Sequence, residues 1–336
     1  MKKSYILMIF VALVIFGCAN SNNPVDIDSE DDYLHLQAFY NTVGYAKDIA
    51  FYDSLIIVAE DQGGISVYNT DNDSLLFRYT EDLSNARLVS VVPENNRLFV
   101  YDKYGSPSRI RVYRLNEFIN EEDNFVMSPI IGNTGGIDYL EAYADDDNQN
   151  ILHIIRNESG EHEYKIGLYD DFYFTEIENY SNYDYELGGF DYDEDYTYLA
   201  YSQLGLNIAV NEDSILTNID TQGEAMDVSV VDTIAFIADR TEGVSIIDIS
   251  DIYNPLNLFR YDTSGYAQSV AVKDNYLALG SGGGGVYLFD ITDIDAVEFL
   301  ARIDDDEIGY TYRVEIKENY IYAVTKRGVA KLQILE

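Results

Sequence analysis

The sequence repeats one strand-rich pattern, and this repeat constrains the fold more than any other feature. The run GVSIIDISDIYNPLNLF begins at Gly243, and a related run, GVYLFDITDIDAVEFL, begins 42 residues later at Gly285. A second phrase, of the form A-x-[DS]-[IV]-[AS]-[FV], precedes each copy and recurs along the chain at intervals of 38 to 51 residues. Its seven starts are Ala46, Ala86, Ile137, Leu187, Ala225, Ala267 and Thr311.

Each start opens a unit of short apolar runs that are separated by turn residues and show no helical periodicity. Four short strands in a unit of about forty residues are typical of one blade of a β-propeller. A single blade cannot bury both of its faces, so the blades must pack against one another in a ring. The sequence therefore predicts an all-β protein that folds as a seven-bladed β-propeller.

The two ends of the repeat region complement each other. The seventh unit reaches Glu336 after three predicted strands, one fewer than a full blade. The phrase YNTVGYA at residues 40–46 matches YDTSGYA at residues 261–267, which leads from one unit into the next, at five of seven positions. We therefore predict that residues 33–43 supply the missing outer strand of the last blade, and that the propeller occupies residues 33–336.

The third predicted strand of a unit carries a recurring motif. It reads VSIID at Val244–Asp248 and VYLFD at Val286–Asp290. A looser copy is ISVYN at Ile65–Asn69, and IRVYR at Ile110–Arg114 has an arginine where the motif has its acid. These phrases resemble the LVIVD repeat family. The resemblance implies a propeller on a secreted or surface-anchored bacterial or archaeal protein, and it does not imply any one reaction.

The start of the chain has the parts of a secretory signal. Two lysines precede an apolar run of 12 residues, which is too short to span a bilayer comfortably. The sequence IFGC at residues 15–18 resembles the lipobox of bacterial lipoproteins, although Phe16 is bulkier than the usual residue. The resemblance implies removal of residues 1–17 and acylation of Cys18. The alternative is an ordinary signal peptide with a chance cysteine, yet Cys18 is the only cysteine in the chain.

Residues 18–32 are polar, acidic and poor in large apolar side chains, so we expect a flexible tether between the acylated Cys18 and the propeller. The residue after Cys18 is Ala19 rather than the aspartate that retains some lipoproteins at the inner membrane. By that analogy we expect the protein to be lipid-anchored in the cell envelope, in the outer membrane or on the cell surface of a bacterium.

The chain carries 60 acidic and 21 basic residues, for a formal net charge of −39. Such a surface repels phosphate backbones, so nucleic acid is excluded as a partner. Solubility, or adaptation to salty surroundings, explains most of this charge. The partners we predict are the membrane, reached through the lipid anchor, and a protein, peptide or glycan.

Motifs for catalysis are absent from the sequence. The three histidines, His35, His153 and His162, form no metal-ligand spacing, and no Ser-His-Asp order is evident. The glycine run at residues 280–286 lacks the Lys-Ser/Thr ending of a phosphate loop and aligns with loops between second and third strands. We predict no catalytic residue and no cofactor, and favour a non-enzymatic protein.

Calcium is the one metal alternative that the sequence raises. The stretch DYDED places Asp191, Asp193 and Asp195 at alternate positions, as in the first part of a calcium loop. Tyr196 and Ser202 stand where such a loop has its glycine and glutamate. The three aspartates are therefore weak candidates for a calcium site.

The strongest candidate for a ligand site is the mouth of the propeller. We define the mouth as the end of the central channel where the loops entering the inner strands meet the loops between second and third strands. Tyr45, Tyr266 and Tyr310 directly precede the starts of blades 1, 6 and 7, which are neighbours in a closed ring. The other predicted site residues at this mouth are Asp48, Arg240, Arg313 and Arg327.

A concave channel mouth lined by tyrosines suits a binding function. We therefore predict an envelope lipoprotein whose propeller is a binding module for a glycan, peptide or protein. One alternative is an extracellular polysaccharide lyase or hydrolase that works at the mouth, and another is a structural lipoprotein of envelope assembly. The tyrosines have a simpler explanation too, as residues that pack at a repeated position.

The lipobox resemblance leads to a direct test of anchoring. We expect Cys18→Ser to release the protein from membranes without changing its melting temperature, because acylation needs the thiol and the propeller lies beyond the tether. Membrane fractionation with a high-salt wash, together with calorimetry, measures both effects. A variant that still sediments with salt-washed membranes would contradict the lipid anchor.

Overall fold

Seven antiparallel four-stranded sheets make up the protein. The computed structural model describes residues 33–104, 109–122, 125–127, 136–158, 160–170, 173–182, 184–210 and 214–335. The predicted signal peptide, Cys18 and the tether lie outside the described residues. Each sheet is one blade, and the first strands of most neighbouring blades contact each other around a central channel. The seven-bladed β-propeller predicted from the repeats is confirmed.

The strands follow the chain in regular order. The N-terminal strand β1 spans Leu34–Asn41. Blade 1 consists of β2 (Asp48–Tyr52), β3 (Leu55–Ala59), β4 (Ile65–Asn69) and β5 (Ser74–Tyr79). Blade 2 consists of β6 (Ala86–Val92), β7 (Arg97–Asp102), β8 (Arg109–Arg114) and β9 (Phe125–Met127). Blade 3 consists of β10 (Ile137–Ala144), β11 (Asn150–Glu158), β12 (Glu161–Tyr169) and β13 (Phe174–Asn182).

The remaining four blades repeat this plan. Blade 4 consists of β14 (Phe190–Tyr192), β15 (Tyr196–Ala200), β16 (Leu206–Val210) and β17 (Ser214–Ile219). Blade 5 consists of β18 (Asp227–Val231), β19 (Ile234–Ala238), β20 (Val244–Asp248) and β21 (Leu256–Tyr261). Blade 6 consists of β22 (Ser269–Lys273), β23 (Tyr276–Gly280), β24 (Val286–Asp290) and β25 (Glu298–Ile303). Blade 7 consists of β26 (Thr311–Lys317), β27 (Tyr320–Thr325), β28 (Gly328–Ile334) and β1.

In the described parts of the chain, short helical turns occupy three of the connections. The helix α1 (Leu115–Ile119) lies between the third and fourth strands of blade 2, and α2 (Asp305–Ile308) precedes blade 7. A single 3-10 turn covers Ile294–Ala296. Within the described residues, no helix is both long and apolar enough to cross a membrane.

The core lies between the blades. The middle strands are apolar and almost wholly buried, as in β3 and β4, whereas the outer strand β5 is largely exposed. β-Branched residues such as Ile56, Ile57 and Val58 fill these middle strands, because branched side chains pack well on a pleated surface with both faces covered. Each pair of neighbouring blades therefore shares one apolar cluster, and seven such clusters surround the channel.

The ring is closed by the first and last strands of the repeat region. The strand β1 pairs antiparallel with β28, from Leu34 opposite Ile334 to Asn41 opposite Gly328. The prediction that residues 33–43 complete the last blade is therefore confirmed, with the strand itself two residues shorter at the end and one at the start. This pairing covers what would otherwise be an open sheet edge.

Side chains fasten the closing strand to blade 1 as well. The Tyr40 hydroxyl donates a hydrogen bond to Asp73 Oδ1 (2.6 Å), and Lys331 Nζ lies 2.9 Å from the same oxygen. The Tyr68 hydroxyl donates to the backbone oxygen of Asn41 (2.5 Å). The seam between blades 7 and 1 thus combines a strand ladder with a buried polar cluster.

The closure can be tested by deletion. Removing residues 33–43 exposes the edge of β28 and the apolar face that β1 covers, so we expect loss of the cooperative melting transition or aggregation. Deleting residues 19–29 removes the same number of residues from the predicted tether and should leave melting unchanged. A normal, cooperative transition in the first variant, measured by calorimetry, would show that β1 is dispensable.

Candidate functional site at the mouth

The mouth has the geometry that the repeats predict. In four blades, the loop between the second and third strands forms an isolated bridge with the start of the next blade's inner strand. One example joins Arg240 to Ala267, where the Ala267 amide donates to the Arg240 carbonyl (2.8 Å). Another joins Gly282 to Thr311. These bridges hold both sets of loops at one end of the channel.

Tyrosines from blades 6, 7 and 1 form part of this end. Tyr45 and Tyr266 are 47% and 49% exposed, which leaves ring surface open to solvent. Tyr310 is partly buried, and its hydroxyl accepts a hydrogen bond from Gln268 Nε2 (2.7 Å). Its ring centroid lies 5.2 Å from that of Tyr312, a residue that the sequence analysis did not select.

Cationic side chains lie over these rings. Lys47 Nζ is 3.9 Å from the centroid of Tyr312 and 5.5 Å from that of Tyr45. Lys326 Nζ is 5.4 Å from the Tyr45 centroid, and the Arg240 guanidinium is 5.7 Å from the Tyr266 centroid. Each distance is within the range of cation–π attraction.

We call this continuous set of residues the tyrosine–cation arc. It extends from blade 5, through blades 6 and 7, to blade 1. Its members are Tyr45, Lys47, Arg240, Tyr266, Tyr310, Tyr312 and Lys326.

The arc is locally positive within a strongly acidic protein. In the described part of the chain, neither Lys47 nor Lys326 forms an ion pair, whereas Arg240 pairs with Glu224. Burial lowers the pKa of Lys47 to about 8, the nearby positive charges of Arg87 and Lys326 lower it further, and the Asp61 carboxylate opposes the shift. Like charges thus gather at the arc without full compensation, which favours an anionic partner.

Two of the predicted site residues lie inside the channel. Arg313 Nη1 is 3.1 Å from Asp48 Oδ1, and Arg313 Nη2 is 2.8 Å from Glu315 Oε1. Asp48 is almost fully buried, and its Oδ2 accepts the Val89 amide hydrogen (2.9 Å). Arg313 and Asp48 therefore bind each other and connect blade 7 to blade 1.

The hydrogen bond from Val89 to Asp48 is one of a repeated set. Side chains of one inner strand accept an amide hydrogen from the inner strand of the next blade, at distances of 2.6 to 3.2 Å. The five acceptor side chains and their donors are Asp48 with Val89, Ser90 with Ala142, Asp191 with Val230, Asp227 with Val270, and Ser269 with Val314. Polar residues of the channel wall thus hold the blades together.

The same wall encloses a cavity of about 190 Å³. Its lining includes Glu141, Asp227 and Arg313. Burial raises the pKa of Asp48 and of Asp227 to about 6, and that of Glu141 to about 7, and the positive charge of Arg313 opposes the shift in each case.

Arg327 and the aspartates of the DYDED stretch do not join the arc. Arg327 Nη1 donates a hydrogen bond to the Glu307 carbonyl at the end of α2 (2.9 Å), and the Arg327 guanidinium lies over the ring of Phe39 in the outer strand β1. This side chain therefore contacts no tyrosine of the arc in the described residues. Asp193 Oδ1 accepts amide hydrogens from Asp195 and Tyr196 within its own turn. In the described parts of the chain, no three His, Cys, Asp or Glu side chains converge as a metal site would require. Calcium binding stays an untested prediction.

Comparison with known proteins places the chain first in a fold class and then near a repeat family. The structure is similar to U3-55K (TM-score 0.68, 11% identity, covering 91% of this chain and 99% of that one). It is also similar to the RRP9 WD40 repeats (TM-score 0.66, 12% identity, covering 91% and 98%) and to the computationally designed Ika8 protein (0.64, 11%, covering 90% and 99%). At such low identity these similarities establish the propeller fold alone.

The sequence comparison is more specific. The LVIVD repeat matches residues 222–263 and 264–294, so this chain contains LVIVD repeats in blades 5 and 6. A search of curated proteins finds no match. The matched residues are those in which the repeated phrases are clearest, and they include Arg240 and Tyr266 of the arc.

The raised pKa of Asp227 leads to a stability test. The folded pKa of about 6 lies above the ordinary value of 3.8, so the folded state binds the proton more tightly and stability is lost as pH rises through this range. Asp227→Asn keeps an oxygen for the Val270 amide but cannot ionise. We expect this variant to melt at a higher temperature than the wild type at pH 8, with a smaller advantage at pH 5.

The control for this test is Asp274→Asn, which removes the same charge from an exposed turn. Calorimetric melting at both pH values compares the two variants. Equal gains from the two substitutions would mean that general charge repulsion, rather than the buried channel carboxylate, sets the pH dependence.

Proposed function

We propose that this protein is a binding module of the bacterial cell envelope and that its tyrosine–cation arc holds an acidic glycan. The observation that carries the proposal is the placement of Lys47 and Lys326 over tyrosine rings, without an ion-pair partner in the described residues, in a chain of net charge −39. Their open positive charge is complementary to the carboxylate or sulfate groups of a glycan.

The tyrosines complete the chemistry of sugar recognition. A tyrosine ring has a flat apolar face for the C–H surface of a sugar and a polar tip for its hydroxyls. Tyr45 and Tyr266 are each about half exposed, so part of each ring is available to a sugar while the rest packs against the protein. The arc extends across four blades, which suits an extended polymer better than a compact small molecule.

The proposed location follows from the N-terminal sequence. The lipobox resemblance around Cys18 supports acylation and a membrane anchor, and the acidic residues 18–32 support a tether of variable direction. A tethered propeller would present its mouth to the surroundings of the membrane. We therefore propose an outer-membrane or surface lipoprotein that holds an acidic polymer near the envelope.

The enzymatic alternative is supported by the channel carboxylates, because a raised pKa is common among catalytic acids. Asp48 and Asp227, however, each accept an amide hydrogen that joins two blades, which gives their burial a structural reason. The channel cavity of about 190 Å³ is also smaller than the roughly 300–1,000 Å³ of typical ligand pockets. Among the described residues, no backbone amide donates to the Glu141 side chain, whose hydrogen-bond donor there is the Tyr192 hydroxyl (3.5 Å). Loss of a glycan-cleaving activity in Glu141→Gln would therefore support the enzymatic alternative.

Replacing one arc tyrosine tests the proposed function. We expect Tyr266→Ala to weaken binding of an acidic glycan by about thirtyfold, since a tyrosine at the centre of an interface contributes roughly 2 kcal/mol. Its melting temperature should change little because the ring is half exposed. A glycan array that contains acidic and neutral members, followed by calorimetric titration and melting, measures both effects.

The matched control is Tyr253→Ala, which removes a 67% exposed tyrosine from the loop between the third and fourth strands of blade 5. Lys326→Gln should weaken acidic glycans while leaving neutral ones unchanged. If acidic peptides bind and no glycan does, the partner is a peptide and the proposed glycan is wrong. A large loss of melting temperature in Tyr266→Ala with no loss of any ligand would show that the tyrosines only pack.

A further inference from the structure

Blades 3 and 4 differ in length, and a cleft lies between them at the end of the propeller opposite the mouth. The strands of blade 3 have eight or nine residues, whereas those of blade 4 have three to six. The turns between the first and second strands of the two blades border the cleft. Its volume is about 550 Å³, which is within the range of ligand sites.

The floor of the cleft is apolar. Ile151, Ile166 and Ile177 come from three adjacent strands of blade 3 and line the cleft. Ile177 is 55% exposed, so the floor is open to solvent on this side. Such a surface favours a ligand that is itself largely apolar.

Aromatic rings form the wall of the cleft nearest the channel. Tyr143 of β10 and Tyr192 of β14 both line it, and their ring centroids are 5.5 Å apart. The Tyr192 ring also stacks on the imidazole of His153, at a centroid distance of 4.3 Å. Both tyrosines are only partly buried, so each ring has room to move toward solvent.

His153 lines the same cleft and has an unsatisfied polar atom. The residue is 3% exposed, and its Nδ1 forms a hydrogen bond with the Tyr164 hydroxyl (2.6 Å). Its Nε2 has no hydrogen-bond partner in the described part of the chain. A buried polar atom without a partner is rare in a folded protein and is expected where a bound molecule completes the site.

The position of Tyr164 determines what the free nitrogen can offer. The two nitrogens of an imidazole point to opposite sides of the ring, so Nε2 points away from Tyr164, which does not line the cleft. The Tyr164 hydroxyl can donate to Nδ1 or accept from it, so Nε2 is either a donor or an acceptor. A ligand hydroxyl can both donate and accept, and it therefore satisfies Nε2 in either tautomer.

The charges around the cleft favour an uncharged ligand. Asp145 Oδ1 accepts the Gln149 amide hydrogen (2.7 Å), and Asp193 Oδ2 accepts the Tyr198 hydroxyl hydrogen (2.8 Å), so these rim carboxylates already have partners. Their negative charge still opposes an anion. Burial lowers the pKa of His153 to about 4, so its ring is neutral at neutral pH, and the lining contains no lysine or arginine.

We propose that this cleft binds a neutral apolar alcohol, such as a phenol, whose hydroxyl completes the hydrogen bonding of His153 Nε2. The hydrocarbon body of the ligand covers the isoleucine floor. Because Nε2 has almost no solvent exposure in the structure, the hydroxyl reaches it as the ring of Tyr143 or Tyr192 moves outward. A hydrocarbon without a hydroxyl would leave Nε2 unpaired, at the cost of a buried polar group.

The test compares three probes with the full-length protein in detergent. The probes p-cresol, toluene and p-toluate share a methylbenzene ring and carry a hydroxyl, no polar group and a carboxylate, respectively. Ligand-observed NMR titration, with free probe concentrations measured to remove uptake by micelles, gives their dissociation constants. We expect p-cresol to bind roughly two- to tenfold more tightly than toluene, the usual gain from one hydrogen bond, and p-toluate to bind weakest. Equal dissociation constants for p-cresol and toluene would overturn the proposal.

Matched variants locate the site. His153→Phe keeps a flat ring but removes Nε2, so p-cresol should lose its advantage over toluene. His35→Phe makes the same change at an exposed position of β1, outside the cleft lining, and should alter neither probe. Ile177→Ser should weaken both probes because it interrupts the apolar floor. If p-cresol keeps its advantage in His153→Phe, or binds Ile177→Ser as tightly as the wild type, the site is rejected.

A measurement on the wild type keeps the test independent of how well the variants fold. The nitrogen NMR signal of His153 Nε2 reports its hydrogen bonding, and we expect p-cresol to shift this signal while toluene does not. A signal that p-cresol leaves unchanged would show that a buried water, rather than a ligand, completes the histidine, and would overturn the proposal.

The cleft and the mouth can be distinguished in the same experiment. Tyr266→Ala should leave p-cresol binding unchanged, because the tyrosine–cation arc lies at the opposite end of the propeller. Loss of p-cresol binding in this variant would place the probe at the mouth and overturn the assignment to the cleft.

Discussion

The pairing of β1 with β28 is the interaction on which the rest of the structure depends. Each blade buries its faces only against its neighbours, so an open ring would leave two apolar faces in water. The ladder from Leu34 to Asn41 removes that exposure, and Tyr40, Asp73 and Lys331 extend the contact into blade 1. Everything described at the mouth, including the neighbouring positions of blades 6, 7 and 1, follows from this closure.

Around the channel, polar side chains of the inner strands also hold neighbouring blades together. The acceptors on successive inner strands, such as Asp48 and Asp227, receive amide hydrogens that no sheet partner would satisfy. The cost of burying these carboxylates is visible in their raised pKa values, and Arg313 offsets part of it. The carboxylates of Asp48 and Asp227 thus join neighbouring blades, whereas Tyr45 and Tyr266 at the mouth leave ring surface exposed to solvent.

The fold could be predicted well from the sequence because the strand-rich repeats recur at a nearly regular interval. Seven starts gave seven blades, and the match between residues 40–46 and 261–267 gave the closing strand. The site was predicted less well because a register position does not determine where a side chain points. Lys326 and Arg327 are adjacent in one turn, yet Lys326 lies over Tyr45 and Arg327 over Phe39.

The closing strand also constrains when the protein can fold. The residues of β1 are synthesised first and those of β28 last, with almost the whole propeller between them. The ladder that closes the ring therefore cannot form on a partly made chain, and it is among the most non-local contacts that this topology allows. The final locking step of the ring therefore waits until the last strand has been synthesised.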